Sequence, residues 1–415
     1  MYFYLALAIF FMHGEVKAET ICDSKSIHTF YTRLKEANPI KDFLGKKSLE
    51  AGTFVDIAKQ RPNPQVELEY LKGSDFGIGI NSYRVTAQHV FEYGSKRQSR
   101  IDEANISVSL QNRSLYLKEL ETNVNYIIKY QRVAQLEIVA EAVEEAILTF
   151  QKVIGKLESR SGLNPEERVS LLTLKLASND YKAKLNDLEN EKTILLGEIQ
   201  FISNCSTIKP VLGKLNYGEI LDLLGNSSST DKGLINIENL KKNHAAAEFE
   251  IQKSLGYSNI SVGPTIEYQN VGADEFLSAG FSVSFALPIF HTNTGGKLNA
   301  SKKLVSQTIN TKNSIRELEI KKERLYLKYK RSVTTLSKMT SLEALNKQHL
   351  EVEKLFSRGI VSIQITIESH RQHIDFLQSR FDTENDLLAS LGEFVFITGA
   401  SETFETLFQN PARTN

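Results

Sequence analysis

His370 and His373 are three residues apart in a segment with helical periodicity, so both imidazoles fall on one helix face and could share a metal ion. Two such ligands make a weak set, and packed or solvated histidines are the expectation; no metal and no cofactor is assigned. Glu166, Glu167 and Arg168 follow Asn164-Pro165, which is the composition of a helix start, so capping competes with any role for these acids as an ion-attracting ring. Gly77-Ile78-Gly79 is an isolated fragment between extended segments, without the strand-to-helix context of a dinucleotide loop. There is no Walker loop, no nucleophile elbow, no zinc-protease motif and no convincing catalytic constellation, so the expectation is a protein that is not an enzyme.

Composition narrows the field. The chain has 415 residues, with 50 basic and 50 acidic side chains that cancel. Nucleic-acid binding needs concentrated Lys and Arg, so no nucleic-acid partner is expected. Residues 2–12 are almost wholly apolar, and Val16-Lys17-Ala18 offers a cleavage site, so residues 1–18 read as a signal peptide that lacks a basic start. An N-terminal anchor is the competing reading, although the run is short for a spanning helix. Export makes a disulfide between Cys22 and Cys205 chemically feasible, and the sequence leaves that pairing open. Lipidation of Cys22 is disfavoured by the preceding Glu19-Thr20-Ile21, which lacks the Leu and small residues of a lipoprotein signal. No other segment approaches the roughly 20 apolar residues that cross a bilayer as a helix, so a membrane-embedded mature chain would have to be a closed β-barrel.

The elements follow from an internal duplication with an offset of about 196 residues, the kind of repeat that decides a fold. Val66-Glu67-Leu68-Glu69-Tyr70 matches Pro264-Thr265-Ile266-Glu267-Tyr268, Ala104 matches Ala300, Arg160-Ser161-Gly162 approximates Ser357-Arg358-Gly359, and Leu196-Gly197-Glu198 matches Leu391-Gly392-Glu393. Each copy reads helix, strand, strand, long helix, turn, shorter helix. The predicted units are a first repeat over 19–203, a linker over 204–232, a second repeat over 233–398 and a flexible tail over 399–415. In the first repeat a helix over 24–59 breaks near Asn38-Pro39 and is ended by Pro62 and Pro64. Strands over 65–72 and 80–91 flank a loop over 73–79, and helices over 95–159 and 166–203 flank a turn at Gly162. In the second repeat a helix over 234–255 leads to strands over 260–270 and 279–285. A long helix over 297–356, a turn at Arg358-Gly359 and a helix over 362–396 follow.

The strands alternate in polarity. Phe281, Val283 and Phe285 oppose Ser282, Ser284 and Ala286; Val262, Pro264, Ile266 and Tyr268 oppose Ser261, Gly263, Thr265, Glu267 and Gln269. Val66, Leu68 and Tyr70 oppose Gln65, Glu67 and Glu69. Such strands suit a membrane barrel with a lipid face and a wet lumen, which makes Val66, Leu68, Tyr70, Tyr268, Phe281, Val283 and Phe285 candidates for contact with outer-membrane lipid. Tyr83, Phe91, Tyr93, Phe276 and Phe290 are candidates for interfacial girdles. A soluble sheet on a core alternates in the same way. Four strands do not close a useful lumen, whereas three chains would supply twelve, so the barrel requires a homotrimer. The long helices carry apolar stripes, Leu136, Val139, Val143, Ala146, Phe150 and Ile154 in one and Leu325, Tyr329, Val333 and Leu336 in another, with polar opposite faces. A coiled-coil rod is the competing reading of these helices.

Several local motifs resemble the TolC-like outer-membrane efflux proteins. Ala37-Asn38-Pro39 followed by Arg61-Pro62-Asn63-Pro64 looks like that family's opening, and Tyr93-Gly94-Ser95-Lys96-Arg97 ending at Ala104 looks like its strand-to-helix junction. Leu287-Pro288-Ile289-Phe290 with Gly295-Gly296 and Ala300 looks like the second junction, closest to the metal and cation efflux branch. The resemblance covers about residues 30–398. It implies a mainly α fold in which long antiparallel helical hairpins form a periplasmic tunnel, and four strands per chain contribute to a 12-stranded trimeric barrel in the bacterial outer membrane. It also implies a passive export conduit that docks to a periplasmic adaptor (membrane fusion) protein and an inner-membrane efflux pump. The hairpin turns would then be the periplasmic tips, with Gly162, Glu166, Glu167, Arg168, Arg358, Gly359 and Gln364 as aperture or adaptor-contact candidates. Family members often carry acids near the second turn, and this sequence has none from Arg358 to Ile365. The alternative function is a periplasmic coiled-coil structural or adaptor protein.

Overall fold

The computed structural model describes residues 26–213, 215, 217–226 and 233–407. The expected signal peptide and Cys22 therefore lie outside the described residues. The chain is mainly helical with one four-stranded antiparallel sheet in the order β1-β2-β3-β4. The first half runs α1 (Ile27–Ala37), α2 (Pro39–Lys59), β1 (Gln65–Asp75), β2 (Ile78–Phe91), α3 (Lys96–Glu158) and α4 (Pro165–Ser203). After α5 (Tyr217–Asn226) the plan returns as α6 (Leu234–Ser254), β3 (Ile260–Val271), β4 (Asp274–Phe285), α7 (Thr294–Lys338), α8 (Leu342–Ser357) and α9 (Ile363–Thr398), with α10 (Ser401–Thr406) at the end. The 63 residues of α3 make a rod of about 94 Å at 1.5 Å per residue.

Local chemistry sets these boundaries. Asn38 accepts from the Ile40 amide at 2.9 Å and Pro39 opens α2, so the break sits between two helices with a side-chain cap. The expected loop over 73–79 is instead strand, because pairing continues through Gly73–Ile80 and Asp75–Ile78 to a two-residue turn. Phe76 (φ 47°) and Gly77 (φ 85°) take the positive dihedrals that such a turn needs. The second hairpin closes as tightly, with Val271 paired to Asp274 and Gly272 at φ 63°. The expected single helix over 297–356 is two: the Ser341 hydroxyl accepts from the Ala344 amide at 3.1 Å and starts α8 afresh.

Two cores run along the helical bundle. In the one nearer the sheet, Phe30 and Leu34 of α1 meet Ile127 and Tyr130 of α3, Ile199 of α4 and Leu387, Leu391 and Phe394 of α9. In the other, Leu136, Val143, Ala146 and Phe150 of α3 pack with Leu174 and Tyr181 of α4 and Ile374, Leu377 and Phe381 of α9. Each large apolar side chain buried in this way contributes about 1.5–3 kcal/mol. The stretch expected as linker contains α5, whose Ile220 and Leu224 are buried and whose Tyr217 carbonyl accepts from the Tyr329 hydroxyl at 3.0 Å. The stretch expected as flexible tail contains α10, which buries Phe404 and sets Glu405 against Tyr31 (3.2 Å) and Lys35 (2.5 Å). Short apolar runs over open core carry no long periodicity, which is why both looked like connectors.

Candidate functional site

The sheet sorts most of its side chains by face. Pairing places Val66 beside Ala87, Leu68 beside Val85 and Tyr70 beside Tyr83. The rows continue through Tyr83–Tyr268 and Val85–Ile266 to Tyr268–Leu277, Ile266–Ala279, Pro264–Phe281, Val262–Val283 and Ile260–Phe285. Alternation then puts all of these on one face, which is apolar across four strands. Val66, Leu68, Tyr70, Tyr268, Phe281, Val283 and Phe285 share it. Much of it is open: Leu277 is 75% exposed and Phe281 83% exposed. Tyr70, Tyr83 and Tyr268 stack along one end, with ring centroids 4.8 and 6.4 Å apart, and Phe91 and Phe285 lie at the other end. Of the remaining girdle candidates, Phe276 pairs with Gln269 on the opposite face, Tyr93 stands edge-on to Tyr257 beyond the strand, and Phe290 is fully exposed beyond β4.

The opposite face is a polar ladder. Arg84 of β2 sits directly between Glu69 of β1 and Glu267 of β3 and reaches them at 2.7 and 3.0 Å. Glu267 also accepts from the Ser82 hydroxyl at 2.6 Å. Thr86 meets Thr265 at 2.9 Å, and Gln88 donates to Ser282 at 2.8 Å and accepts from Ser284 at 3.2 Å. Cross-strand pairs of this kind hold a sheet that has no core on its wet side. The sheet joins the helices through Arg97, which donates to the Lys59 carbonyl at 2.9 Å, and Arg100, which pairs with Glu92. Sequence reasoning found the apolar side and missed the ladder; the Arg84–Glu267 match becomes visible only once β2 is paired with β3.

At the far end of the bundle the α3–α4 and α8–α9 turns lie together, bridged by Gln364, which donates to the Ser170 hydroxyl at 3.2 Å. Glu167 closes a capping box with Asn164 (3.0 and 2.8 Å) and is paired with Arg160 at 2.6 Å, so its charge is engaged locally. Gly162, Glu166 and Arg168 are exposed around it. In the second turn Gly359 (φ 73°) ends α8, its amide bonding the Phe356 carbonyl at 2.8 Å and the Ile360 amide the Leu355 carbonyl at 3.0 Å. Arg358 is exposed beside it.

His370 and His373 are both buried, and the structure brings His349 and Glu353 of α8 to them. Ring centroids lie 4.7 Å apart for His349–His370 and 4.4 Å for His349–His373. His349 Nδ1, His370 Nε2 and His373 Nδ1 are buried without a hydrogen-bond partner. Each such atom costs about 1–3 kcal/mol. Burial, with the neighbouring rings, pushes His370 and His373 down to about 4, so both are neutral near pH 7. His349 and Glu353 escaped the sequence reading because they belong to another helix; their i, i+4 spacing was the available signal.

Cys205 is disulfide-bonded and buried. Among the described residues no helix is long and apolar enough to cross a membrane.

No protein-family profile and no curated protein sequence matches the chain. Solved structures do. The outer membrane protein VceC of Vibrio cholerae is similar with a TM-score of 0.66 at 13% identity, over 90% of this chain and 96% of that one. The open-state MtrE outer membrane channel of Neisseria gonorrhoeae gives 0.66 at 10% identity, over 92% and 94%. The CmeC outer membrane channel of Campylobacter jejuni gives 0.63 at 9% identity, over 94% and 91%. At these identities the likeness establishes a shared fold.

Proposed function

We propose that this chain is one subunit of a homotrimeric TolC-like channel in the bacterial outer membrane, with a large periplasmic part. It serves as a passive conduit in an efflux system. The observation that carries this reading is the two-faced sheet, apolar and open on one side and polar and hydrogen-bonded on the other. A lipid-embedded wall around a wet lumen needs that division, and a soluble sheet would cover its apolar side with a core. The outer edges of β1 and β4 lack strand partners among the described residues, and a second and third copy would supply them. Helix α7 adds an exposed apolar stripe of Leu298, Val305, Ile309, Ile320 and Leu327, the heptad-like spacing of a helix with a neighbour to meet. The tips at Gly162–Arg168 and Arg358–Gln364 are the docking end for a periplasmic adaptor protein, through which an inner-membrane pump delivers substrate. The shared fold with VceC, MtrE and CmeC supports the same reading.

The test is membrane fractionation followed by conductance. The full chain is expected to stay in carbonate-washed outer membranes and to form ion-conducting pores in planar bilayers. Replacing Phe281, Val283 and Phe285 together with Asp is expected to abolish membrane assembly. Normal assembly of that variant, or a wild-type protein recovered as a water-soluble monomer, would refute the reading.

A further inference from the structure

We propose that His349, Glu353 and His370, with the His373 ring packed against His349, bind one divalent transition-metal ion of the zinc class, clamping α8 to α9 inside the second hairpin. The site owes nothing to the sheet and does not depend on the channel reading. Its geometry follows from two helical spacings. His349 and Glu353 are i, i+4 on α8 and His370 and His373 are i, i+3 on α9, so α8 turns two ligands, and α9 turns His370 with His373 beside it, to the facing side. The helices are antiparallel across Gly359, and His349 and His370 lie at nearly equal distances before and after it, which puts them opposite each other. Metal sites in helical bundles are built in this way, from short-spaced ligand pairs on facing helices.

Three further observations point to a ligand. The donor atoms of His349, Glu353 and His370 all lie within 4.8 Å of one another, and donors around a tetrahedral zinc sit roughly 3.4 Å apart at a bond length of ~2.1 Å. Small side-chain rotations therefore close the set. His370 Nε2 approaches Glu353 Oε1 to 2.9 Å and yet lies out of line for a hydrogen bond. Two ligands sharing one edge of a coordination shell make such an approach. His370 is 1% exposed, and its unpartnered nitrogen faces this cluster, held there by the edge-on ring of Phe150 at 5.5 Å. Glu353 retains 25% side-chain exposure, which leaves an entry path from solvent. Two imidazoles and one carboxylate, with solvent free to fill a fourth position, select Zn(II), Co(II) or Ni(II) over the oxygen-seeking Mg(II) and Ca(II). The bound ion would pin the hairpin arms together about 15 Å from the turn, counting ten residues from His349 to Gly359.

The full-length protein in detergent, stripped with a chelator and titrated with Zn(II) against a chromogenic competitor, tests the site. Wild type is expected to take up one equivalent per chain and to melt at a higher temperature with zinc than without. Co(II) is expected to give the ligand-field spectrum of a nitrogen- and oxygen-bound tetrahedral ion. His370→Gln is expected to lose stoichiometric binding. Glu353→Gln, at the more exposed position, tests the site independently should the buried variant misfold; it is expected to weaken binding at least ~10-fold. His291→Asn, at an exposed histidine outside the cluster, is expected to bind as wild type. Wild type with no stoichiometric zinc, or Glu353→Gln and His349→Asn binding undiminished, overturns the proposal. A protein that conducts and binds no zinc refutes this inference alone; one that binds zinc and forms no pore leaves it standing.

Discussion

Phe281 and Ser282 are adjacent in β4 and point to opposite faces, so an arginine at each position asks which side of the sheet meets lipid. Phe281 lies midway between Leu277 and Phe285, the ends of the apolar face on this strand, about 13 Å from each at ~3.3 Å per residue. In a barrel that position is near the bilayer midplane. Phe281→Arg there is expected to cost about 2–4 kcal/mol for the charge, and a further ~1.5–3 kcal/mol for the apolar burial against lipid that it forfeits. Ser282→Arg places its charge on the wet side and loses the hydrogen bond from Gln88 at 2.8 Å, about 0.5–1.5 kcal/mol. The smallest difference consistent with these ranges is about 2 kcal/mol per chain, roughly a 30-fold change in a folding equilibrium. A urea titration of refolding into lipid vesicles measures it, with membrane-fraction yield as the cellular counterpart. Equal midpoints, or Ser282→Arg as the more damaging change, would mean that the apolar face does not see hydrocarbon, and the two-faced sheet would then need another explanation.

Other consequences are as direct. Arg84→Gln removes the single cation between Glu69 and Glu267, so the proposed pore is expected to become more cation-selective, read as a shift in reversal potential across a salt gradient. Asn164→Ala removes the cap of α4 and half of the capping box, and is expected to destabilise the protein by about 1 kcal/mol in a urea titration while leaving reversal potential unchanged. Phe404→Ala empties the socket under α10 and is expected to lower stability by about 3–5 kcal/mol; an effect within ±0.5 kcal/mol would show that the helix is not docked in solution.

Elements with a long period were readable from sequence. Three of the strand faces follow from alternation in short runs, and helix α3 follows from an apolar stripe uninterrupted by proline. What was misread depended on contacts distant in sequence or on a single cap. The expected loop over 73–79 is hairpin because β1 and β2 go on pairing through glycine and serine, residues with little strand propensity of their own. The break at Met339–Ser341 carries no proline or glycine; Ser341 starts a new helix through one hydrogen bond, and serine is too common to signal that. Of the tip candidates, Glu167 was readable as a capping residue from Asn164-Pro165, and its second engagement with Arg160 was not. His349 and Glu353 carry an i, i+4 spacing, but their meeting with His370 was illegible for a geometric reason: ligands on two helices meet only after the turn at Gly359 fixes which residues face each other.

The parity of the sheet explains why duplication suits a ring. Each half of the chain contributes one hairpin, and β2 joins β3 antiparallel, so the free edges β1 and β4 run in opposite directions. A neighbouring copy can therefore place its β1 along this β4 and keep every pairing antiparallel. With an odd number of strands per chain the same join would be parallel, and the ladder of alternating hydrogen bonds would be interrupted once per subunit. In the proposed barrel the inner wall argues for the number of copies. Two chains would close eight strands, a size at which side chains fill the interior. The polar ladder would then press Arg84, Glu69 and Glu267 of both copies into a dry centre, where charges are expensive to bury. Twelve strands from three chains are the smallest closed ring that leaves these groups in water and leaves room for something to pass.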